Sequence, residues 1–264
     1  MRTKRRLGQH FLHDPRLLAR IAAATGAGPG DTVLEIGPGP GGLTVALAAT
    51  GARVVAIERD ADLVGPLRAR LPGVVVAEGD ALEVDWHGLA GARRFIVAGN
   101  IPYNITSPLI DKALEAPLPV RIVFLVQQEV AERIAAAAGD EAYGALSVGV
   151  QAVARVERLF GVPAGAFVPA PRVDSAVVRI TPLADPLIAP ESGPSFRVMV
   201  VGLFAYRRKQ MLRGLRELTG WPAGRAGAAL GRAGIEQEVR VEAVTASALA
   251  RLHAALVDDG WEPD

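Results

Sequence analysis

Short runs rich in Val and Ile recur along the first 180 or so residues, separated by longer amphipathic stretches. The runs Thr32–Ile36, Arg53–Ile57, Val74–Glu78, Phe95–Ala98 and Arg121–Val126 predict strands. Their near-continuous apolar character is that of parallel strands covered on both faces. Leu43–Thr50, Ala61–Leu71 and Pro108–Glu115 predict the intervening helices. Pro15–Thr25 predicts a helix ahead of the first strand, with Asp14 as N-cap and Pro15 at the first helical position. Alternation of this kind specifies an α/β domain with a parallel sheet. Pro182, Pro186, Pro190 and Pro194 then interrupt it, and neither a helix nor a central strand tolerates that density. Beyond them Phe196–Leu218, Ala223–Ala233 and Thr245–Val257 are helical by spacing. The expected organisation is an α/β domain over residues 1–182, a Pro-rich linker at 183–194 and a small helical domain at 195–264.

Strand Thr32–Ile36 runs straight into Gly37-Pro38-Gly39-Pro40-Gly41-Gly42 and then a helix. Such a turn lets a ligand lie against bare backbone at the end of a sheet strand. About 20 residues on, Glu58 ends the next strand, where a carboxylate can accept both hydroxyls of a ribose. Gly37, Gly39 and Gly42 also spell the dinucleotide fingerprint, so the loop alone is ambiguous. Pyrophosphate needs backbone N–H donors, and Pro38 and Pro40 have none. Glu35 would place a carboxylate near the ligand, which repels phosphate and suits a cationic amino acid group. Asp80 follows the third strand, where it can accept from an adenine amine; alone, an Asp there is more often a helix cap.

The most specific feature is Asn100-Ile101-Pro102-Tyr103, after the fourth strand. It suits methylation of an amine whose lone pair is delocalised into a purine ring. Asn100 Oδ1 and the Ile101 carbonyl can accept the two N–H groups and turn the lone pair toward a donor. Pro102 fixes the turn, and Tyr103 offers a face for the base. An Asn-x-Pro turn beside a core tyrosine is the plainer alternative.

These motifs stand in one order with Gly8-Gln9-His10-Phe11-Leu12, Asn104-Ile105-Thr106-Ser107-Pro108, Gln127–Arg133, Phe167-Val168-Pro169-Ala170-Pro171-Arg172-Val173-Asp174-Ser175 and Arg207-Arg208-Lys209. Nearly the whole chain resembles the ribosomal RNA adenine N6-dimethyltransferases. The resemblance implies a Rossmann-like class I methyltransferase with a seven-stranded sheet and S-adenosylmethionine as cofactor. It implies that His10 and Leu12 close over the cofactor, Gly37 lies beneath it, Glu58 holds the ribose and Asp80 faces the adenine. Asn100 lies between cofactor and target, and Phe167 packs on the target base opposite Tyr103, since a flipped-out base needs two apolar faces. Tyr143–Ser147 and the long Phe167–Ser175 motif lean toward the small-subunit branch, which dimethylates two adjacent adenosines in the 3′-terminal hairpin loop of 16S rRNA. The close cousins act on 23S rRNA and confer macrolide resistance. His10 stands where the family often has Asn, and Arg213 where it commonly has Asn in the tail.

Composition adds exclusions. The chain has no cysteine, which removes disulfides and thiolate chemistry and fits a reducing compartment. Its four histidines (His10, His13, His87, His253) are scattered, so no metal site is expected. No apolar run reaches about 18 residues, so no membrane partner is expected and a cytoplasmic protein is the default. Lys+Arg and Asp+Glu, 29 and 28, nearly cancel, but basic residues cluster in Met1–Arg6 and at Arg207, Arg208, Lys209, Arg213 and Arg216. Solvated faces account for such clusters as readily as RNA phosphates do; with the resemblance, ribosomal RNA of the small subunit is the expected partner, and nothing calls for an obligate dimer. A nicotinamide oxidoreductase leaves the tetrapeptide unexplained. A ribosome-assembly protein with a vestigial cofactor site has no need of an intact one.

Overall fold

The computed structural model describes residues 10–263. The basic Met1–Arg6 run and Gly8-Gln9 lie outside the described residues. The chain forms two compact units: one extends up to Ala131 and includes Val156–Pro182, the other is Glu132–Arg155 with Leu183–Asp264. The periodicity placed a single break after residue 182; the second unit also takes in residues 132–155.

The first unit is built in the order β1 (Phe11–Leu12), α1 (Pro15–Ala24), β2 (Thr32–Ile36), α2 (Gly42–Ala48), β3 (Arg53–Glu58), α3 (Ala61–Arg70), β4 (Val75–Glu78), α4 (Trp86–Ala90), β5 (Ile96–Asn100), α5 (Thr106–Ala113), β6 (Arg121–Gln127) and the start of α6 (Gln128–Ala135). It ends with β7 (Ala154–Val162), β8 (Phe167–Val168) and β9 (Ser175–Pro182). Seven strands form one sheet in the order β4-β3-β2-β5-β6-β9-β7, as the resemblance implies. The first five in that order run parallel, whereas β9 runs antiparallel to β6. Connections leave β2 toward β3 on one side and reach β5 on the other, so the crevice for a ligand opens between the C-terminal ends of β2 and β5. The parallel strands β2, β3, β5 and β6 are apolar because they are covered: all five β2 residues are buried, and Val33, Leu34, Ile57, Val97 and Phe124 are at most 1% exposed, while β4 at the sheet edge leaves Val75 exposed. Burying each such side chain stabilises the fold by about 1.5–3 kcal/mol. Asp14 caps α1 as expected, its carboxylate accepting from Arg16 N–H at 2.8 Å. The two-residue strands β1 and β8 pair separately, Leu12 opposite Phe167.

The second unit is helical: α7 (Ala145–Gln151), α8 (Gly193–Ala205), α9 (Met211–Thr219), α10 (Ala223–Ala233) and α11 (Ala246–Asp258). Its core holds Met199, Leu203, Leu215, Leu230, Leu249, Leu252 and Leu256. Tyr143 donates to Val244 O at 3.0 Å and meets Phe204 edge-on, so this part of the Tyr143–Ser147 motif belongs to packing here. The single helix expected over Phe196–Leu218 is two. Gln210 is extended and bridges Arg240, and the first N–H groups of α9, Met211 and Leu212, donate to Val239 O and Gln237 O. That segment supplies acceptors a continuous helix would have supplied itself. The expected linker is partly built in, with Leu183 and Leu187 N–H bonded to Val153 O and Ala152 O and a 3-10 turn at Pro190–Ser192. No helix among the described residues is long and apolar enough to cross a membrane.

Candidate active site

A cleft opens at the C-terminal ends of β2, β3, β4 and β5. Its floor is the glycine loop. Gly37, Gly39 and Gly41 have φ of +66°, +55° and +82°, which side chains rarely adopt. A Cβ on Gly39 would also lie 2.8 Å from the Phe11 ring, so the β1 segment can close on the loop only because this residue is bare. The loop's N–H groups are spoken for: Gly37 donates to Ile57 O at 2.9 Å, Gly41 to Pro38 O at 2.9 Å and Gly39 to Glu58 Oε2 at 3.0 Å. With Pro38 and Pro40 between them, residues 37–41 keep none for a phosphate.

Glu58 ends β3, 5% exposed, and its other oxygen accepts from Asp60 N–H at 2.7 Å. Burial raises its pKa, against the backbone N–H groups of Asp60, Gly39 and Arg59 that favour the anion. Each oxygen retains a lone pair for a ligand hydroxyl. Glu35 behaves differently. It does not line the cleft, is 1% exposed, and its Oε2 has no partner among the described residues. The Thr44 hydroxyl lies close enough to favour the anion slightly, although no hydrogen bond of good geometry joins them. Burial, with the charge of Glu58 added, pushes the Glu35 carboxyl up to about 8.

Asp80 fills the capping role weighed for it and also lines the cleft. Its Oδ1 caps the following turn through Leu82 N–H at 3.0 Å, and its Oδ2 faces Arg59 Nη1 at 3.2 Å at the cleft. On the opposite side, Asn100 Nδ2 donates to His10 O at 2.8 Å, which fixes the amide and leaves Oδ1 as an acceptor with no donor among the described residues. Ile101 N–H donates to Leu125 O at 3.1 Å, holding the next peptide at the strand end. The Tyr103 hydroxyl is 2.7 Å from Ser175 Oγ, and its ring lies against the His10 imidazole, 5.5 Å between centroids and 23° from parallel. His10 Nδ1 donates to Pro169 O at 2.8 Å, which fixes that ring nitrogen as the protonated one.

The cleft therefore brings together His10, Gly37, Glu58, Asp80, Asn100, Ile101, Pro102 and Tyr103. Leu12 and Phe167 do not line it: they are 7% and 2% exposed, packed with Ile21, Leu43 and Val177 in the core beneath the β1–β8 pair. Sequence reasoning missed Arg59, Phe11 and Ile105, which do. Position was the available signal for Arg59, one residue beyond the acid that ends β3.

The residues fit S-adenosylmethionine. The loop offers close approach without phosphate donors, and two carboxylates, Glu58 and Asp80, line the cleft at the strand ends, where they suit the hydroxyls and amine of a nucleoside; the buried Glu35 does not line the cleft, so the contact with a cationic amino acid group expected of it is not formed by its position. No dinucleotide would find its pyrophosphate contacts here.

The family described as "Ribosomal RNA adenine dimethylase" matches residues 1–257. A curated relative, "Ribosomal RNA small subunit methyltransferase A" of Acidithiobacillus ferrooxidans, is 43% identical over 219 residues, covering 81% of this chain and 82% of its own. The solved structure of the 23S rRNA methyltransferase ErmE matches with TM-score 0.74 and 31% identity over 94% of this chain and 99% of that one. A dimethyladenosine transferase from Plasmodium falciparum matches with TM-score 0.80 and 26% identity, covering 95% and 98%. A seven-stranded sheet whose strand ends carry the glycine loop, Glu58, Asp80 and Asn100–Tyr103 thus coincides with a match across almost the entire sequence, and the chain belongs to the ribosomal RNA adenine dimethylase family.

Proposed function

We propose that the protein transfers methyl groups from S-adenosylmethionine to N6 of adenosines in 16S rRNA, two adjacent ones in the 3′-terminal hairpin loop being the targets. The observation that carries the reading is the fixed Asn100 amide, whose Nδ2 is committed to His10 O and whose Oδ1 is left to accept. When bound, the cofactor supplies an electrophilic methyl carbon on a sulfonium. Asn100 Oδ1 and the Ile101 carbonyl accept the two N6–H groups and turn the nitrogen lone pair out of the ring plane. Tyr103, held through Ser175, presents its face to the base, and an approaching base must share or displace the His10 ring. Glu58 takes the ribose hydroxyls and Asp80 the adenine amine of the cofactor. No strong base is required, because the amine becomes acidic as it is alkylated. Arg207, Arg208, Arg213 and Arg216 are exposed in the helical unit and would hold RNA phosphates. The small-subunit relatives favour 16S over 23S rRNA. The ErmE likeness keeps 23S rRNA as the second reading.

The test is transfer of deuterated methyl from S-adenosylmethionine to 16S rRNA, 23S rRNA and small subunits lacking the modification, with methylated positions mapped by mass. The expected product is dimethyladenosine near the 16S 3′ end. Label confined to 23S rRNA selects the second reading, and label absent from adenine refutes both.

A further inference from the structure

One face of Tyr103 is covered by another ring of the same chain. The His10 imidazole lies on it, 5.5 Å between centroids and 23° from parallel. Neither residue depends on that contact for its place. Tyr103 is held through its hydroxyl, 2.7 Å from Ser175 Oγ, and the His10 main chain through its carbonyl, which accepts from Asn100 Nδ2 at 2.8 Å. Phe11, the next residue, is paired with Val168. The ring occupies the place that a target must take, because an amine served by Asn100 Oδ1 sits beside the main chain that Asn100 Nδ2 grips. Rings in contact keep their planes about 3.5 Å apart, so a base held between two of them needs about 7 Å. The 5.5 Å between His10 and Tyr103 leaves no such gap. The backbone cannot retreat to open one, tied as it is to Asn100 and β8. Rotation of the His10 side chain, which gives up only the Nδ1 bond to Pro169 O, is the motion left.

We infer that His10 is a placeholder for the target adenine: its imidazole covers the stacking face of Tyr103 until RNA delivers a base, and turns out as the base goes in. The inference rests on the reading of Asn100–Tyr103 as the adenine N6 site. Residue type makes the device. An Asn at this position could donate a hydrogen bond but offers no ring face, whereas an imidazole stacks as a base does. Only the side chain moves, so the His10 carbonyl stays on Asn100 Nδ2 and the amide keeps its orientation through the exchange. Each incoming base must first displace an aromatic pair, which holds the insertion equilibrium back by about two- to tenfold.

The test is single-turnover methyl transfer to small subunits lacking the modification, at saturating subunits and S-adenosylmethionine, by the full chain and its variants His10→Asn and His10→Phe, with subunit affinity measured by filter binding. Asn removes the covering ring, and transfer should become about two- to tenfold faster at unchanged affinity, a gain that a damaged fold cannot produce. Phe keeps a ring on Tyr103 and should transfer no faster than wild type. An Asn variant at or below the wild-type rate overturns the inference: a loss would make the imidazole a wall of the occupied site, and equality would mean that it blocks nothing the base must use. A Phe variant as fast as the Asn variant would assign the gain to loss of the Pro169 bond and overturn the placeholder role as well. Wild-type protein that puts no label on adenine in any rRNA refutes the proposed function, and this inference falls with it.

Discussion

Replacing Glu35 by Gln should stabilise the protein increasingly as pH rises. Glu35 is 1% exposed, its Oε2 is unpartnered among the described residues, and burial pushes its carboxyl from 4.5 up to about 8. Between these values the folded protein holds a proton that the unfolded chain has released. Stability is therefore fully present below pH 4.5, falls as pH rises through the window and levels off above about 8. At about 1.36 kcal/mol per pH unit, the loss across the window approaches about 5 kcal/mol, a large part of the ~5–15 kcal/mol that holds a typical domain folded. Gln keeps the shape and removes the titration. Its buried NH2 carries a penalty of about 1–3 kcal/mol that does not depend on pH, so the slope is informative and the offset is not. Glu58, also raised by burial, is common to both proteins and cancels to first order. Urea unfolding of both proteins from about pH 5 to about pH 8 should show the variant gaining on the wild type by about 3 kcal/mol or more. Profiles that stay parallel would mean that the carboxylate is ionised and served inside the fold, and the account of Glu35 would be withdrawn.

Asn100→Ala should retain S-adenosylhomocysteine binding by calorimetry yet lower methyl transfer about 100-fold or more, because a fixed acceptor for the reacting amine is gone; near-normal turnover would refute the role of the amide. Tyr103→Phe loses the Ser175 bond but keeps the ring, so single-turnover transfer should fall only several-fold, whereas Tyr103→Ala forfeits about 1–3 kcal/mol of base stacking; equal losses would contradict a stacking role. Replacing Arg207, Arg208 and Lys209 together by Gln should weaken RNA binding and flatten its salt dependence, leaving cofactor affinity unchanged. Lys209 already pairs with Glu217 at 2.6 Å, so most of that effect should come from the two arginines; unchanged RNA affinity would make those charges a solvated face.

What the sequence disclosed follows from how each element is covered. The parallel strands β2, β3, β5 and β6 are buried almost throughout and read as apolar runs, whereas β4, at the opposite edge from β7, was legible only from its valines; β2 matches its expected bounds, and β3, β4, β5 and β6 differ from theirs by one or two residues. Strand β7 sits at the sheet edge, its interior mostly half-buried or exposed, so its apolar signal is diluted. The break between α8 and α9 left no Gly or Pro at 206–210, because it is imposed by acceptors on residues 237–239, about 30 positions away. The site was legible where chemistry coincides with a strand end, as at Gly37, Glu58, Asp80 and Asn100. Phe167 was not, because its environment is set by pairing with Leu12, which no local pattern reveals.

The glycine loop shows why backbone accounting decides more than the motif does. A strand, a glycine turn and a helix serve dinucleotides and nucleosides alike. In this chain two loop positions have no N–H at all, and the N–H groups of Gly37, Gly39 and Gly41 end on Ile57 O, Glu58 Oε2 and Pro38 O. The helix start offers no substitute, since Gly41 and Gly42 do not line the cleft and Gly42 lies under Leu18 and the Leu12 carbonyl. A pyrophosphate would have to break the Gly39–Glu58 bond to find a donor, and would then leave a buried carboxylate beside its own negative charge. A sulfonium-bearing nucleoside would meet no such conflict: it needs no loop N–H, and its ribose could use a Glu58 already oriented by the loop it serves.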